Sequence, residues 1–289
     1  MPAKITKILF VINSKAGPGN TPWESIINNY FTEKDFSMDF YDLQKKGFDN
    51  LKTAIANSDA SIVVAVGGDG TVALVAQHIS GSSKSLGIIP AGSANGMAKE
   101  LAIPIKPDEA LKIIESGRPV NCDAIKINDK NICLHLSDIG LNARLIKYFD
   151  AGKLRGKLGY AMVLFKTLYR KKIMKIDIST ESEHFSSEAI MVVIANASKY
   201  GTGAVINPKG KYDDGFFEIV IVRKLAFKEL LRMMLSPGKF DPKNIQIIKA
   251  RKLKLTSSSK SHFQIDGEYI GKVNTVSAEI IPSYIKVIL

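Results

Sequence analysis

The run Ser61–Val66 reads SIVVAV and is apolar at every position from Ile62 onward. A strand with one face in water alternates apolar with polar side chains, whereas a strand with no polar face is covered on both sides. Covering both faces requires helices above and below a sheet, and the flanking sequence supplies them. Lys7–Asn13 is a second apolar run and Ser37–Leu43 a third strand, while Pro22–Phe31 and Phe48–Ala56 read as helices. A glycine-rich loop and a helix follow SIVVAV, then a strand at Leu86–Ile89 and a helix from about Ser93 to Leu101. Strands alternating with helices at this spacing predict a three-layer α/β domain with a parallel sheet over residues 1–121.

The second half changes pattern. Ala124–Ile127, Ile132–Leu136, Lys175–Thr180, Ala189–Asn196, Phe216–Val222, Ile245–Lys249, Leu253–Thr256, His262–Ile265, Val276–Ile280 and Ile285–Ile288 all read as short strands. Such a series predicts an antiparallel β-sandwich over residues 122–289, its last strand free to return toward the first domain. Two helices interrupt it, about Asn142–Phe149 and Gly156–Lys171. The second carries an apolar stripe (Leu158, Ala161, Met162, Phe165, Leu168) with basic residues at its ends. That pattern suits a helix packed on the sandwich and equally one lying on an anionic bilayer.

Charge follows the same division. Of the net +12, none comes from Met1–Asn121, which holds 12 basic and 12 acidic residues; the whole excess lies in Cys122–Leu289. Arg144–Lys175 alone has ten basic residues against one acid, Asp150. Such a field favours a polyanionic partner: an anionic membrane surface, nucleic acid or a phosphorylated ligand, of which the anionic membrane surface is expected. No interleaving of aromatic with basic residues supports nucleic acid. The longest apolar runs fall far short of the roughly 18–20 residues of a membrane span. The opening residues lack the pattern of a secretory signal. Two cysteines, Cys122 and Cys133, are too few to staple a chain of 289 residues, so a reducing, cytoplasmic compartment is expected. None of the four histidines sits in a ligand-like pattern, so no zinc site is expected.

Three loops carry the chemistry. Gly67-Gly68-Asp69-Gly70-Thr71 sits between the buried strand and a helix. Glycines permit positive φ and close approach of a ligand, and a helix N-terminus attracts phosphate. A carboxylate among those glycines makes sense if it reaches Mg²⁺ beside the phosphates; the plainer reading is an Asp-Gly turn. Pro90-Ala91-Gly92-Ser93-Ala94-Asn95-Gly96 repeats the strand–loop–helix arrangement, with Ser93 placed to cap the helix. Together with the Asn13–Gly19 loop, these would converge at the carboxyl edge of the sheet, where open α/β sheets bind ligands. Neither G-x-x-x-x-G-K-[ST] nor G-x-G-x-x-G is present, which excludes the common P-loop and the dinucleotide fold. Later, Asp266-Gly267 between Phe263-Gln264-Ile265 and Tyr269-Ile270 is a strong hairpin signal, and Asp213-Asp214-Gly215 also reads as a turn.

This series of motifs resembles the diacylglycerol kinase catalytic-domain superfamily, which includes bacterial lipid kinases, sphingosine kinases and ceramide kinases. The matching segments are the Asn13–Gly17 loop, GGDGT, PAGSANGMAKEL at Pro90–Leu101 and KLRGKLGY at Lys153–Tyr160. They continue with YGTGAVINP at Tyr200–Pro208, DGFFEIVIV at Asp214–Val222 and DGE at Asp266–Glu268. GGDGT alone is shared with NAD kinases and relatives of phosphofructokinase; the PAGS-type loop and the late DG and DGE motifs separate this chain from those.

The resemblance implies a nucleotide-binding domain of NAD kinase and phosphofructokinase type, a β-sandwich, and ATP and lipid meeting in the cleft between them. It implies transfer of the γ-phosphate of ATP to a lipid hydroxyl, of diacylglycerol or a related lipid, with sphingoid bases and ceramide as alternatives. By that resemblance Asn13, Ser14, Gly17, Gly67, Gly68, Asp69, Gly70, Thr71, Gly92, Ser93 and Asn95 would hold ATP. Glu268 would take the proton from the lipid hydroxyl, as phosphoryl transfer to an alcohol requires, and Asp266 and Asp69 would organise catalytic Mg²⁺. The carboxylate of Asp214, with the backbone carbonyls of Lys211 and Phe216, would form a structural Mg²⁺ site. The enzyme would be cytoplasmic and peripheral on the inner face of the membrane, with a homodimer admitted.

The chain departs from the family pattern twice. Val72-Ala73-Leu74 follow GGDGT where bacterial members have a hydrophobic residue, Asn and Glu, and Asn95-Gly96 replaces the Asn-Asp of diacylglycerol kinases. A small residue at Gly96 is similar to sphingosine kinases. The missing carboxylate leaves a second reading open, a nucleotide- or lipid-binding homologue without turnover.

Overall fold

A computed structural model describes residues 6–16, 21–150, 172–200, 204–224 and 240–289. The chain divides into two compact units, Met1–Cys122 with Ser283–Leu289, and Asp123–Pro282. Gly17 and the expected helix Gly156–Lys171 lie outside the described residues.

In the first unit four strands run parallel in the order β4 (Ser85–Pro90), β3 (Ile62–Gly67), β1 (Thr6–Ile12), β2 (Phe36–Asp42). The apolar run from Val63 to Val66 is fully buried, as a strand with no polar face requires. Helices α1 (Trp23–Phe31), α3 (Leu51–Asn57), α4 (Asp69–Ile79) and α6 (Pro107–Ser116) bury one apolar face each, through residues such as Ile27, Leu51, Val75 and Leu111. The short α2 (Leu43–Lys46) begins where strand Ser37–Leu43 was expected to end, because Asp42 accepts the Gln44 N–H and caps it. The final residues extend the sheet beside β4, with Lys286 opposite Ser85 and Val287 opposite Leu86 in parallel register. Backbone bonds in both directions between Arg118 and Leu289 secure them.

The second unit is a two-layer antiparallel sandwich. One layer holds β12 (Ile245–Ala250), β11 (Phe217–Val222), β10 (Met191–Ala195), β7 (Leu136–Gly140) and the second half of β13 (Lys252–Ile265). The other holds β9 (His184–Ala189), β8 (Met174–Thr180), the first half of β13, β14 (Glu268–Ile288), β5 (Pro119–Ile127) and β6 (Asn131–Cys133). Strand β13 serves both layers because its register shifts between Thr256 and Ser261, so the expected strands Leu253–Thr256 and His262–Ile265 are one bulged strand. The two inner faces form one core from Ile125, Ile139, Ile176, Val192, Phe217, Leu255, Phe263 and Val276 among others. Strand β9 was missed: its residues are mostly exposed or half-buried, and pairing with β8 places it in the sheet.

Candidate active site

Strands β1, β3 and β4 are parallel neighbours, so the loops leaving their carboxyl ends share one edge of the sheet. Asn13 leaves β1; its N–H donates to the Val66 carbonyl and its Nδ2 to the Thr71 hydroxyl at 3.3 Å. Its Oδ1 accepts from Gln44 Nε2 and the Lys15 N–H. Ser14 is exposed and donates its hydroxyl to Asp42 at 3.2 Å. Asp42 and Gln44 are participants that the motif reading did not single out. They lie about thirty positions away and carry no motif of their own.

The glycines of the other two loops are required by each other. A Cβ on Gly92 would lie 2.4 Å from the Gly68 Cα, and one on Gly67 would lie 2.3 Å from the Thr71 hydroxyl. Neither Gly67, Gly68, Gly70 nor Gly92 has positive φ, contrary to the expectation that these loops turn by left-handed glycines. Gly68 and Gly92 are glycine because the two loop backbones pack on each other, and Gly67 because the Thr71 side chain sits over it.

Asp69 locks that packing. Its two carboxylate oxygens accept the N–H groups of Gly96 (2.9 Å) and Met97 (3.0 Å), capping α5 (Gly96–Glu100) from the neighbouring loop. The helix therefore starts at Gly96, and Ser93, expected as its cap, stays exposed ahead of it. Asn95 occupies the cap position in the left-handed region at φ 51. Its amide accepts from the Gly92 N–H and donates to the Gly92 carbonyl, both at 2.8 Å, rigidifying the loop. Gly70 and Ser93 remain exposed.

In the second unit Asp266 and Gly267 are the two turn residues between Ile265 and Glu268, with φ 48 and 89, so the hairpin reading holds. Asp266 does more than turn the chain. Its carboxylate accepts from the N–H groups of Leu134 (2.8 Å), His135 (2.9 Å) and Leu136 (3.0 Å) and from the Cys133 thiol (3.2 Å). Burial pushes its pKa up, and those backbone donors pull the other way. Glu268 begins β14 with its side chain exposed.

A second buried carboxylate braces the same hairpin. Asp138 is fully buried and accepts from Asn142 Nδ2 (2.6 Å), the Ala143 N–H (2.8 Å) and Gln264 Nε2 (2.5 Å). Gln264 Oε1 in turn accepts the Gly267 N–H at 2.7 Å. Burial raises the Asp138 pKa to about 6. Asp138 thus ties the start of α7 (Leu141–Asp150) to the turn that presents Glu268.

The carboxylates expected to organise Mg²⁺ are thus occupied differently. Those of Asp69 and Asp266 hold backbone N–H groups. At the expected structural Mg²⁺ site, Asp214 accepts the Phe216 N–H at 3.2 Å and pairs with Lys249 Nζ at 2.8 Å, while Lys211 precedes them on the same turn. The positive charge beside Asp214 in this structure comes from Lys249, a half-exposed side chain that a divalent cation there would have to displace. Lys249 also lies 4.4 Å above the Phe216 ring, as does Arg251. Among the described residues no group of three His, Cys, Asp or Glu side chains is arranged to hold a metal. Asp123, which accepts the Gly215 N–H at 2.7 Å, completes the support of this turn.

An α/β unit with paired glycine loops on its parallel strands, and a β-sandwich unit presenting a carboxylate beside a hairpin turn, is the architecture of the NAD kinase and diacylglycerol kinase class. The model of the diacylglycerol kinase catalytic domain matches residues 7–127, and that of the YegS C-terminal NAD kinase beta sandwich-like domain matches 137–289. A Yersinia enterocolitica protein named probable lipid kinase YegS-like is 30% identical over 233 residues, covering 78% of this chain and 77% of that protein. A diacylglycerol kinase from Bacillus anthracis has a similar structure (TM-score 0.73, 18% identity, 98% of this chain and 96% of that one). An NAD kinase from Archaeoglobus fulgidus, solved with ATP, is similar at TM-score 0.54 and 9% identity, covering 98% and 94%. The chain belongs to the YegS-like lipid kinase family.

Proposed function

We propose that the protein transfers the γ-phosphate of ATP, taken as its Mg²⁺ complex, to a hydroxyl of a membrane lipid of the diacylglycerol type. The observation that carries this reading is the clamp between the GGDGT and PAGSANG loops: Gly68 against Gly92, locked by Asp69 on the Gly96 and Met97 N–H groups. The clamp supports a rigid cradle whose exposed members, Gly70, Ser93 and Ser14, meet the nucleotide phosphates. Preorganised donors need no rearrangement as negative charge redistributes in the transition state. Mg²⁺ enters with the nucleotide and neutralises phosphate charge.

Glu268 accepts the proton of the lipid hydroxyl as its oxygen attacks phosphorus. An exposed carboxylate can reach a substrate hydroxyl and suits that task. Asp69 and Asp266 act as positioning residues, the first on the loops and the second on the hairpin. The attacking lipid stays in its membrane, so the enzyme works at a bilayer surface. Among the described residues no helix is long and apolar enough to cross a membrane. The test is incubation with labelled ATP, Mg²⁺ and mixed micelles of diacylglycerol, monoacylglycerol, sphingosine, ceramide or phosphatidylglycerol, with Glu268→Ala as control. A labelled phospholipid absent from the control names the acceptor. ATP binding without transfer to any lipid would replace this reading with the binding-protein one.

A further inference from the structure

The Gln264 side chain could be turned either way about its amide, and only one way serves the hairpin. Gln264 is buried opposite Asp138 in the pairing of β13 with β7, and the Ser137 hydroxyl donates to its carbonyl at 2.8 Å. Its amide ends between two groups of fixed polarity. On one side stands the Asp138 carboxylate, which when ionised only accepts; on the other stands the Gly267 N–H, which only donates. Nε2 therefore faces Asp138 at 2.5 Å and Oε1 faces Gly267 at 2.7 Å. The opposite orientation would set two acceptors against each other at the buried end and two donors against each other at the turn.

The turn itself needs that contact. Asp266 and Gly267 both sit at positive φ, and Glu268 follows directly. The Asp266 carboxylate is held by the N–H groups of Leu134, His135 and Leu136, which fixes the first turn residue. The second, Gly267, has no side chain to anchor, so the hydrogen bond from its N–H to Gln264 is what pins it.

We propose that Asp138 and Gln264 are positioning residues for phosphoryl transfer: the carboxylate orients the amide, the amide holds the Gly267 N–H, and the turn so fixed aims Glu268 at the lipid hydroxyl. This rests on the reading of Glu268 as the base. Neither residue touches a substrate in that reading; both act through the turn. A base has to lie within hydrogen-bond reach of the proton it takes, and a misplacement of about 1 Å can cost on the order of 10²-fold in rate.

The charge on Asp138 is better explained by orientation than by stability. Asp138 is fully buried, and its three donors, Asn142 Nδ2, the Ala143 N–H and Gln264 Nε2, are all neutral amides. Burial raises its pKa to about 6, so at neutral pH the ionised group weakens the folded state. Stability alone would favour a neutral side chain at this position. An amide there would offer a donor as well as an acceptor, and Gln264 could then settle either way round. A carboxylate offers no donor and leaves Gln264 one orientation.

The experiment compares three variants of the full chain, with circular dichroism to establish that each is folded. Asp138→Asn removes the orienting charge. Gln264→Met cuts the link while Asp138 keeps both donors on α7, so it tests the relay even where Asp138→Asn does not fold. The double variant Asp138→Asn, Gln264→Glu exchanges amide and carboxylate: the new amide donates to the new carboxylate, whose second oxygen accepts the Gly267 N–H. Hydrogen exchange at the Gly267 amide should be faster in both single variants and return to the wild-type rate in the double one. In the lipid phosphorylation assay, each single variant should lower kcat on the order of 10–10²-fold with the KM for ATP unmoved, and the double variant should recover most of the loss. A role confined to stability would lower the fraction folded and leave kcat per folded molecule as it is. A folded single variant with wild-type kcat, or a folded double variant no more active than the single ones, overturns the positioning role and leaves Glu268 as the base. A wild-type protein that phosphorylates no lipid overturns the base reading and this proposal with it.

Discussion

Replacing Asp266 by Asn tests whether this carboxylate anchors the hairpin. In the wild type, Oδ1 takes the Cys133 thiol and the His135 and Leu136 N–H groups, and Oδ2 takes the Leu134 N–H at 2.8 Å. Asparagine has one acceptor oxygen. In its better orientation it keeps the three donors at Oδ1 and turns its own NH₂ toward the Leu134 N–H. The lost charged hydrogen bond costs about 1.5–3 kcal/mol. The remaining three become neutral contacts, each about half as strong as charge-assisted ones. Burial acts in the opposite sense: it already pushes the carboxyl pKa up, so a neutral amide recovers part of the desolvation cost. The net expectation is a loss of about 2–4 kcal/mol. Urea unfolding followed by circular dichroism should show a lower midpoint at unchanged slope. Hydrogen exchange should show faster exchange at the Leu134 amide, which loses its acceptor. A variant as stable and as protected as wild type would refute the anchoring role and return Asp266 to the metal.

Gly92→Ala places a Cβ 2.4 Å from the Gly68 Cα, so it should cost about 1–3 kcal/mol and abolish ATP binding by prising the two loops apart, as measured by calorimetric titration. Glu268→Gln should lower lipid phosphorylation by on the order of 10²–10⁴-fold. Its side chain is exposed, so the unfolding midpoint should stay where it is; a fully active variant would remove Glu268 from the chemistry. Asp138 has a folded pKa of about 6, above its unfolded value, so the folded state holds the proton more tightly and stability falls as pH rises from about 4 to 6. Asp138→Asn should flatten that slope, worth up to about 3 kcal/mol across the window; an unchanged slope means another group causes it. Chelation of Mg²⁺ from the nucleotide-free protein should leave the melting temperature unmoved, because Lys249 already supplies the cation at Asp214. Lys249→Met should cost at most about 1 kcal/mol.

Much of the architecture was legible along the chain. The apolar run at Ile62–Val66 implied burial on both faces, and the change to closely spaced alternating segments after Asn121 implied a sandwich. The Asp266-Gly267 turn was legible too, since two adjacent positive-φ residues between apolar runs leave few alternatives. The helix near Ser93 was placed three residues early. A serine before a helical run is a good local cap, but here a carboxylate from another loop outcompeted it.

Backbone preferences, burial patterns and turns depend on neighbours in sequence, and the sequence alone determined these: two units and their sheet types. What each carboxylate holds was decided only by the tertiary structure. Asp69 meets its donors 27 and 28 positions away, Asp214 its ammonium 35 away, and Asp266 its amides 130 to 132 away. Charge and hydrogen bonding act through space at a few ångströms, so no spacing along the chain encodes them until the fold brings the partners together.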